Sequence, residues 1–346
     1  MRRFVFSVVV AWLYFECGLL FAQQPQALNQ KTIDTSQTDA GFSFIVSGHF
    51  HGGSNNTSGF PASTILSYID DFNATNNRFM ICLGDLFLDV RNDIPVYKRV
   101  LIDKLNKPLF NTPGNHDISG NVYQENFGKT YGSFRISQAL FILLDTELDN
   151  SSIKGEQLML LQQKLNDLSE ITQVYLFSHR PVWAESLPVF EGVFPDNTKS
   201  KFGTNFNDEV YPLLKKAQNT AQVYWFSGSL GDAPASFFYH KMADEQIHFI
   251  QTAIRNLPRD AILRVNVVDA ETSFSTISLT GQYLEPLQHY NLQFWQNYRK
   301  PKESFNWRLL PLYVKQMIFH RYFWYGAGFS LLLFILITFF KRKKSR

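Results

Sequence analysis

Short apolar runs alternate along the chain with segments of helical period. Runs bounded by Gly, Asn, Asp or Pro predict buried strands, and they lie at residues 42–47, 78–83, 108–112, 174–177 and 223–226. Apolar positions that recur every three or four residues predict amphipathic helices at residues 61–72, 94–105 and 155–168. In the last of these, one face carries only leucines and should belong to the core: Leu158, Leu161, Leu165 and Leu168.

The later part of the chain is richer in strands. Residues 131–136 and 140–144 are predicted to pair with each other. Four more strands are predicted, and they would build the second sheet: residues 236–240, 247–252, 262–268 and 274–279. This order predicts an α/β fold in which two sheets pack face to face between helices. Residues 183–208 have no clear period, and long segments of this kind often form the rim of a functional site.

The first 40 residues carry a secretion pattern and then a polar stretch. Arg2-Arg3 followed by the apolar residues 4–15 is typical of a signal peptide, predicted here as residues 1–22 with cleavage after Ala22. The alternative is an uncleaved N-terminal anchor. Residues 23–40 are rich in Gln and Thr and lack an apolar period, which predicts a mobile polar leader.

The last 25 residues predict a membrane anchor. Residues 322–340 are uncharged and long enough to cross a hydrocarbon core, and they are followed by the basic tail 341–346. With the signal peptide, this predicts a single-pass membrane protein with its main domain outside the cytoplasm and its C-terminus in the cytoplasm. Residues 284–321 are aromatic and basic. They are either a juxtamembrane segment on lipid headgroups or a final helix packed on the main domain.

Composition limits the possible functions. An apolar fraction of 45% and a charged fraction of 18% indicate a globular core. The net charge is +3 and much of it lies in the basic tail, so no nucleic-acid partner is expected. Of the two cysteines, Cys17 lies in the signal segment and Cys82 in a predicted central strand. Removal of the signal segment leaves no internal disulfide, and Cys82 is predicted to be a small buried residue.

Polar residues with catalytic or metal-binding chemistry follow four of the predicted strands. These residues are His49, His51, Asp85, Asn115, His116, Asp117 and His179. Imidazole, carboxylate and amide oxygen are ligand types that divalent transition metals accept. An imidazole can also move a proton near neutral pH, and an Asp beside it can fix its tautomer. Short loops beyond strand ends can aim such groups into a common cleft.

The order and spacing of these residues resemble the calcineurin-like metallophosphoesterases over about residues 42–250. The resemblance rests on His51, on Gly84-Asp85, on Gly-Asn-His-Asp at residues 114–117, and on His179. It implies a four-layer α/β/β/α sandwich, here residues 41–283, followed by the single transmembrane helix. Two motifs depart from the family pattern. His49 stands where the family has Asp, and Gly-Ser-Leu-Gly at residues 228–231 stands where it has Gly-His-x-His.

The resemblance also implies how the site would work on a phosphoester. Two metal ions can generate the nucleophile and stabilise the phosphoryl charge. Asp85 would bridge both ions, His51 and His49 would bind one, and Asn115 and His179 would bind the other. The altered motifs predict one ion or a weakly held pair, with Mn, Fe and Zn all suitable. By the same resemblance, His116 donates a proton to the leaving group and is held by Asp117.

Two further residues are candidate replacements for the missing histidines. Asp232 and His240 could each supply a ligand, although each is more simply a residue without metal contact. The main hypothesis is a membrane-anchored, extracytoplasmic, metal-dependent phosphoester hydrolase that acts beside a lipid bilayer. The alternative is an impaired or inactive member of the same fold, used as a binding or scaffold domain.

Overall fold

Two mixed β-sheets form the centre of the fold. The computed structural model describes residues 25–33, 41–194, 204–230, 233–298, 314, 318 and 321–344. The chain divides into two units, Met1–Tyr298 and Arg299–Arg346. The strands, all in the first unit, are β1 (Gly41–Ser47), β2 (Asn77–Cys82), β3 (Leu109–Asn111), β4 (Gly132–Ile136), β5 (Ala139–Leu143), β6 (Gln173–Ser178), β7 (Gln222–Ser227), β8 (Phe237–Lys241), β9 (Ile247–Thr252), β10 (Ala261–Val268) and β11 (Glu271–Ser278).

The helices are mostly short. They are α1 (Ser63–Leu66), α2 (Ile69–Ala74), α3 (Val90–Val100), α4 (Val122–Phe127), α5 (Gly155–Asn166), α6 (Val182–Ser186), α7 (Tyr211–Ala217), α8 (Leu292–Asn297) and α9 (Arg321–Lys344). Single 3-10 turns lie at Ile102–Lys104, Asn115–Asp117, Asp149–Ser151, Pro188–Phe190 and Leu287–His289, and a π-helical turn at Phe206–Val210. The helix predicted over residues 61–72 is therefore divided into α1 and α2, whereas α5 begins where it was predicted.

The first sheet has the order β11-β10-β1-β2-β3 and the second the order β4-β5-β6-β7-β9-β8. β1, β2 and β3 run parallel, and so do β5, β6, β7 and β9. The carboxyl ends of the parallel strands therefore meet at one edge of each sheet, where loops can converge.

Three apolar layers hold the sheets and helices together. Alternate residues of β1 face opposite sides, as a period of two requires. Phe44 packs between the sheets with Phe141 and Phe177, whereas Ile45 faces the helices that cover the first sheet. The outer face of the second sheet packs on α5 through Leu161 and Leu165. The predicted four-layer α/β/β/α sandwich is confirmed.

The prediction that the last four strands form the second sheet is half wrong. β8 and β9 lie in that sheet, but β10 and β11 extend the first sheet. β10 pairs antiparallel with β1, for example Phe44 opposite Val265. The alternation of apolar residues fits a strand of either sheet, so the pattern alone does not select the partner.

Part of the predicted polar leader is packed on the main domain. Within Pro25–Ile33, Ala27 and Leu28 are buried, and the Leu28 amide donates to the Leu109 carbonyl at 2.8 Å. The Asn29 side chain donates to the Lys107 carbonyl and accepts from the Leu109 amide. β3 is an edge strand, and this segment covers some of its open hydrogen-bonding groups. The expectation of a mobile leader is therefore wrong for these residues. Residues 34–40 lie outside the described part.

The predicted juxtamembrane segment begins too early. Leu287, Tyr290 and Trp295 are buried in the main domain. The Tyr290 carbonyl accepts the Tyr239 amide, and the Trp295 indole donates to the Phe237 carbonyl. Of the two alternatives for residues 284–321, packing on the sandwich is correct up to residue 298, and residues 299–313 lie outside the described part.

The second unit contains the predicted membrane helix. Within α9, Phe323–Phe340 has a mean hydropathy of 2.0, and none of it is buried in the structure. It is the one described helix that is long and apolar enough to cross a membrane. The segment predicted as a signal peptide, residues 1–22, lies outside the described residues.

Asp145, two residues after β5, is a buried carboxyl group whose titration should change the free energy of unfolding with pH. Burial raises its pKa to about 6, against hydrogen bonds from Thr130 and from the Glu147 amide that lower it. Because the folded-state pKa exceeds the unfolded value, this group contributes stability below pH 4 that is lost as the pH rises through 6. We expect Asp145→Asn to remove that loss, a difference of about 2 kcal/mol between pH 4 and pH 7.

The measurement is denaturant unfolding of parent and variant from pH 4 to pH 7, followed by fluorescence of the buried Trp183 and Trp225. Asp103→Asn, at an exposed aspartate, is the matched control and should keep the parental pH slope. Parallel stability curves for the parent and Asp145→Asn would contradict the expectation.

Candidate metal centre

The loops beyond β1, β2, β3 and β6 converge at one end of the sandwich. His49 and His51 follow β1, Asp85 follows β2, the turn Asn115–Asp117 follows β3, and His179 follows β6. The sequence prediction that these loops share a cleft is borne out for His49, His51, Asp85 and His179, whose side chains meet in the interior. All four are buried.

Three imidazoles point their Nε2 atoms at the same oxygen of Asp85. The distances to Asp85 Oδ2 are 3.5 Å from His49, 3.8 Å from His51 and 3.6 Å from His179. The other oxygen, Oδ1, accepts the backbone N–H of His116 at 3.1 Å. The rings of His49 and His179 are stacked with centroids 5.5 Å apart, and those of His49 and His51 are 5.6 Å apart.

These imidazole nitrogens are buried without hydrogen-bond partners among the described residues. This holds for both ring nitrogens of His49 and His51 and for Nε2 of His179. His179 donates through Nδ1 to the Leu83 carbonyl at 2.8 Å, so in the neutral ring the lone pair is on Nε2. Buried polar atoms without a partner are costly, and a bound cation would satisfy several of them at once.

The donor set fits a divalent metal ion. With bonds of about 2.0–2.2 Å, ligand atoms of a tetrahedral site lie about 3.4 Å apart. The three nitrogen–oxygen distances around Asp85 come within about 0.4 Å of that value, since they range from 3.5 to 3.8 Å. His49, His51 and Asp85 form the group of described residues whose ligand atoms all lie within 4.8 Å of one another, and His179 is outside that group although its Nε2 lies 3.6 Å from Asp85 Oδ2.

The protonation states at this centre suit metal binding. Burial raises the pKa of Asp85, but His179, His51 and His49 outweigh it, and the net pKa is well below the ordinary value. Burial lowers the pKa of His49 well below its ordinary value, and the neighbouring His179, His51 and Arg255 lower it further against Asp85. The centre therefore offers an ionised carboxylate and a neutral His49 imidazole at neutral pH, which are the forms that bind metals.

The backbone around Asp85 is held in an unusual conformation. Asp85 and His49 have φ values of 51° and 58°, in the left-handed region that non-glycine residues rarely adopt. At Gly114, a Cβ atom would lie 2.3 Å from Asp85 Oδ1, so only glycine lets the third loop approach this carboxylate. Such strain commonly accumulates where a site fixes its side chains.

The predicted contact between Asp117 and the His116 ring is wrong. His116 instead donates through Nδ1 to the Leu88 carbonyl at 2.9 Å. Asp117 is fully buried, and its carboxylate accepts four hydrogen bonds, from the amides of Leu86, Phe87 and Gly114 and from the Asn111 side chain. Asp117 therefore joins the loop after β2 to the loop after β3, and it positions His116 through the backbone.

Asn115 makes its side-chain hydrogen bond to Arg180 and not to the three converging imidazoles. Its side chain is exposed, and its Oδ1 accepts a hydrogen bond from Arg180 Nη2 at 3.3 Å. Arg180 also binds Glu147 with two bonds, Nε to Oε1 at 2.6 Å and Nη2 to Oε2 at 3.0 Å. The sequence prediction missed both residues. The position of Arg180 directly after His179 was the one available indication.

The loop after β7 is joined to the loop after β6 by backbone hydrogen bonds. The amides of Gly228 and Ser229 both donate to the His179 carbonyl at 2.9 Å. His240, considered as a replacement ligand, lies on edge strand β8 with its ring 5.0 Å from that of Phe190, and not in the cluster. Gly231 and Asp232 lie outside the described residues.

No family model and no curated protein matches this sequence. Among solved structures, a dimetal phosphatase from Danio rerio is similar with a TM-score of 0.50 and 13% identity, over 69% of this chain and 96% of that one. The purple acid phosphatase PPD1 from yellow lupin, Lupinus luteus, is similar with a TM-score of 0.49 and 12% identity, over 77% of this chain and 54% of that one.

Identities this low establish a shared fold and nothing more. The similarity to the first of these phosphatases covers 69% of this chain, and it is a similarity of fold. The chain thus has the fold of the calcineurin-like metallophosphoesterases, carried together with an apolar C-terminal helix.

Proposed function

We propose that this protein is a metal-dependent phosphoester hydrolase, anchored in a membrane by α9 and with its main domain outside the cytoplasm. The observation that carries the proposal is the convergence of three unpartnered imidazole nitrogens on one ionised carboxylate, in a phosphatase-type fold. A structural cluster of this kind would leave buried polar atoms unsatisfied, whereas a metal centre uses them.

His49, His51, Asp85 and His179 would hold the metal. A divalent ion bound there supplies the activation of a water nucleophile and the stabilisation of phosphoryl charge that hydrolysis needs. The chain itself keeps the ligands in their binding forms. The Leu83 carbonyl fixes the His179 tautomer, and the three imidazoles keep Asp85 ionised.

His116 is placed to act as the general acid. Its ring lies beside the cluster, 5.1 Å from the His51 ring, and it is partly exposed where a substrate can reach it. The Leu88 carbonyl holds its Nδ1–H, so proton exchange with a substrate takes place at Nε2. In the imidazolium form, Nε2–H can protonate the departing oxygen.

The alternative is a binding or scaffold domain that kept the fold and lost turnover. His49 in place of Asp and Ser229 in place of His favour it, because the first change removes a negative charge and the second replaces an imidazole ligand with a weak one. A partly exposed His116 fixed beside the cluster favours hydrolysis, because a binding domain does not require it.

Replacement of the central carboxylate should abolish metal binding. We expect Asp85→Ala protein to contain no stoichiometric metal, because the variant lacks the charged ligand on which all three imidazole nitrogens converge. Metal content is measured on purified full-length protein by plasma mass spectrometry, with circular dichroism as the check on folding. Asp103→Ala, at an exposed aspartate, is the control and should keep the parental metal content. Equal metal in the parent and Asp85→Ala would show that this centre is not used.

Removal of the general acid should affect some substrates far more than others. We expect His116→Ala to slow esters with poor leaving groups by about 10²–10⁴. An activated aryl phosphate, whose leaving oxygen needs little protonation, should be affected much less. Turnover is measured on both substrates, and metal content should stay parental.

The control is His289→Ala, since His289 is exposed and packs on Tyr290 and Phe294. Both of its rates should match the parent. Parental turnover that resists both a chelator and His116→Ala would exclude the proposed mechanism. Absence of metal-dependent turnover on every phosphoester would favour the scaffold alternative.

The proposed topology can be tested with reporter fusions. A reporter inserted at residue 300 should indicate the non-cytoplasmic side, and one fused after Arg346 should indicate the cytoplasm, because the apolar part of α9 lies between them. Two reporters on the same side would contradict a single crossing by α9.

A further inference from the structure

The oxygens expected to bind a second metal ion are engaged in other contacts. Asp85, the expected bridge, uses Oδ2 towards the three imidazoles and Oδ1 as acceptor of the His116 amide. Asn115 Oδ1, expected to bind the second ion, accepts Arg180 Nη2. The structure therefore places a guanidinium group beside the amide oxygen that the family resemblance assigned to a metal.

Arg180 is fixed in this position. Glu147 binds its Nε and Nη2, and the two side chains are only 16% and 11% exposed. The backbone is anchored as well, because the Arg180 amide donates to Thr146 Oγ1 at 2.9 Å. A two-point contact with a carboxylate orients the planar guanidinium, which cannot lose its proton at any physiological pH.

The loop after β7 cannot supply the missing ligands from its described residues. At Gly228 a Cβ atom would lie 2.0 Å from the Leu83 carbonyl oxygen, so this position admits no side chain. Ser229 is buried and offers a hydroxyl, a weak ligand beside an imidazole. Two divalent ions would therefore share Asp85 as their one carboxylate ligand among the described residues. Little negative charge would then offset the repulsion between the two ions.

We propose that the centre binds one divalent metal ion, through His49, His51, His179 and Asp85, and that the guanidinium of Arg180 provides the second positive charge for the phosphoryl group. This inference rests on the proposed function and specifies how the same site binds its substrate. Glu147 and Asn115 are positioning residues that hold the guanidinium at the edge of the centre. The ligand class is a phosphate monoanion or dianion, which the delocalised positive charge of a guanidinium attracts.

The metal stoichiometry is the first test. Full-length protein stripped of metal is titrated by calorimetry with Zn²⁺ and, separately, with Mn²⁺. We expect one ion per chain in each case and none in Asp85→Ala. Two ions of either metal per chain would overturn the inference and leave the proposed function intact. No bound ion with either metal would overturn both.

Binding of inorganic phosphate to the metal-loaded protein is the second test, and it does not depend on turnover. We expect Arg180→Gln to weaken phosphate binding by about tenfold to a hundredfold, as the loss of a charged hydrogen bond predicts. Metal stoichiometry should stay at one. Arg180→Lys should recover part of the affinity, because it restores the positive charge but not the planar group that Glu147 and Asn115 hold in place.

Two variants separate this role from a merely structural one. Arg180→Gln leaves Glu147 buried without its charged partner, which could disturb the fold. The double variant Arg180→Gln with Glu147→Gln avoids this, because the two amides form a neutral, hydrogen-bonded pair. It should show the same loss of phosphate affinity. Arg135→Gln removes an exposed arginine that pairs with Glu170, and it should bind phosphate as the parent does. Parental phosphate affinity in both Arg180 variants would overturn the inference.

Discussion

Asp85 is a buried carboxylate whose charge must be balanced by groups within a few ångströms. An isolated charge in the interior is expensive, and such a group would normally take up a proton. Here the neighbouring His179, His51 and His49 outweigh burial and keep the pKa of Asp85 low. Their Nε2 atoms all face one of its oxygens, and the His116 amide binds the other. The positions of four loops are thus set by contacts with a single side chain.

Asp117 is a second buried carboxyl group, and its pKa is shifted upwards whereas that of Asp85 is shifted downwards. Burial and the charge of Asp85 raise the pKa of Asp117, whereas amide donors from Phe87 and Gly114 and the Asn111 side chain lower it. Asp117 uses its oxygens to join the loops after β2 and β3, and it offers nothing to the centre itself. Gly114 lies between the two carboxylates, donating its amide to Asp117 where a Cβ would strike Asp85. Position 114 therefore has to be glycine for both contacts to exist.

The sequence predicts the strands and the converging loops well for a physical reason. Buried parallel strands are short apolar runs, and the polar residues that follow them must lie at one edge of the sheet. Hence His49, Asp85 and His179 could be placed together before any coordinates. The sheet to which β10 belongs could not be predicted, because its alternation fits either sheet.

Contacts that depend on backbone acceptors or on distant loops are also invisible in a side-chain pattern. The Leu88 carbonyl, which orients His116, is a backbone group that every residue type carries, so the sequence does not indicate this contact. Arg180 and Glu147 are 33 positions apart in two loops, and neither loop has a period that would align them. The docking of residues 25–33 depends on Ala27, Leu28 and the Asn29 amide, too few apolar positions to form a recognisable run.

The change at position 49 and the changes in the loop after β7 are consistent with each other on electrostatic grounds. A dication bound by Asp85 and three neutral imidazoles would carry a net charge of one positive unit. An Asp at position 49 would cancel that unit and weaken the attraction for an anionic phosphoester. His49 preserves it, and because burial keeps the pKa of His49 low, the ring adds no charge that would oppose the ion. The histidine at position 49 therefore suits a centre with one ion, as the engagement of Asn115 by Arg180 independently indicates.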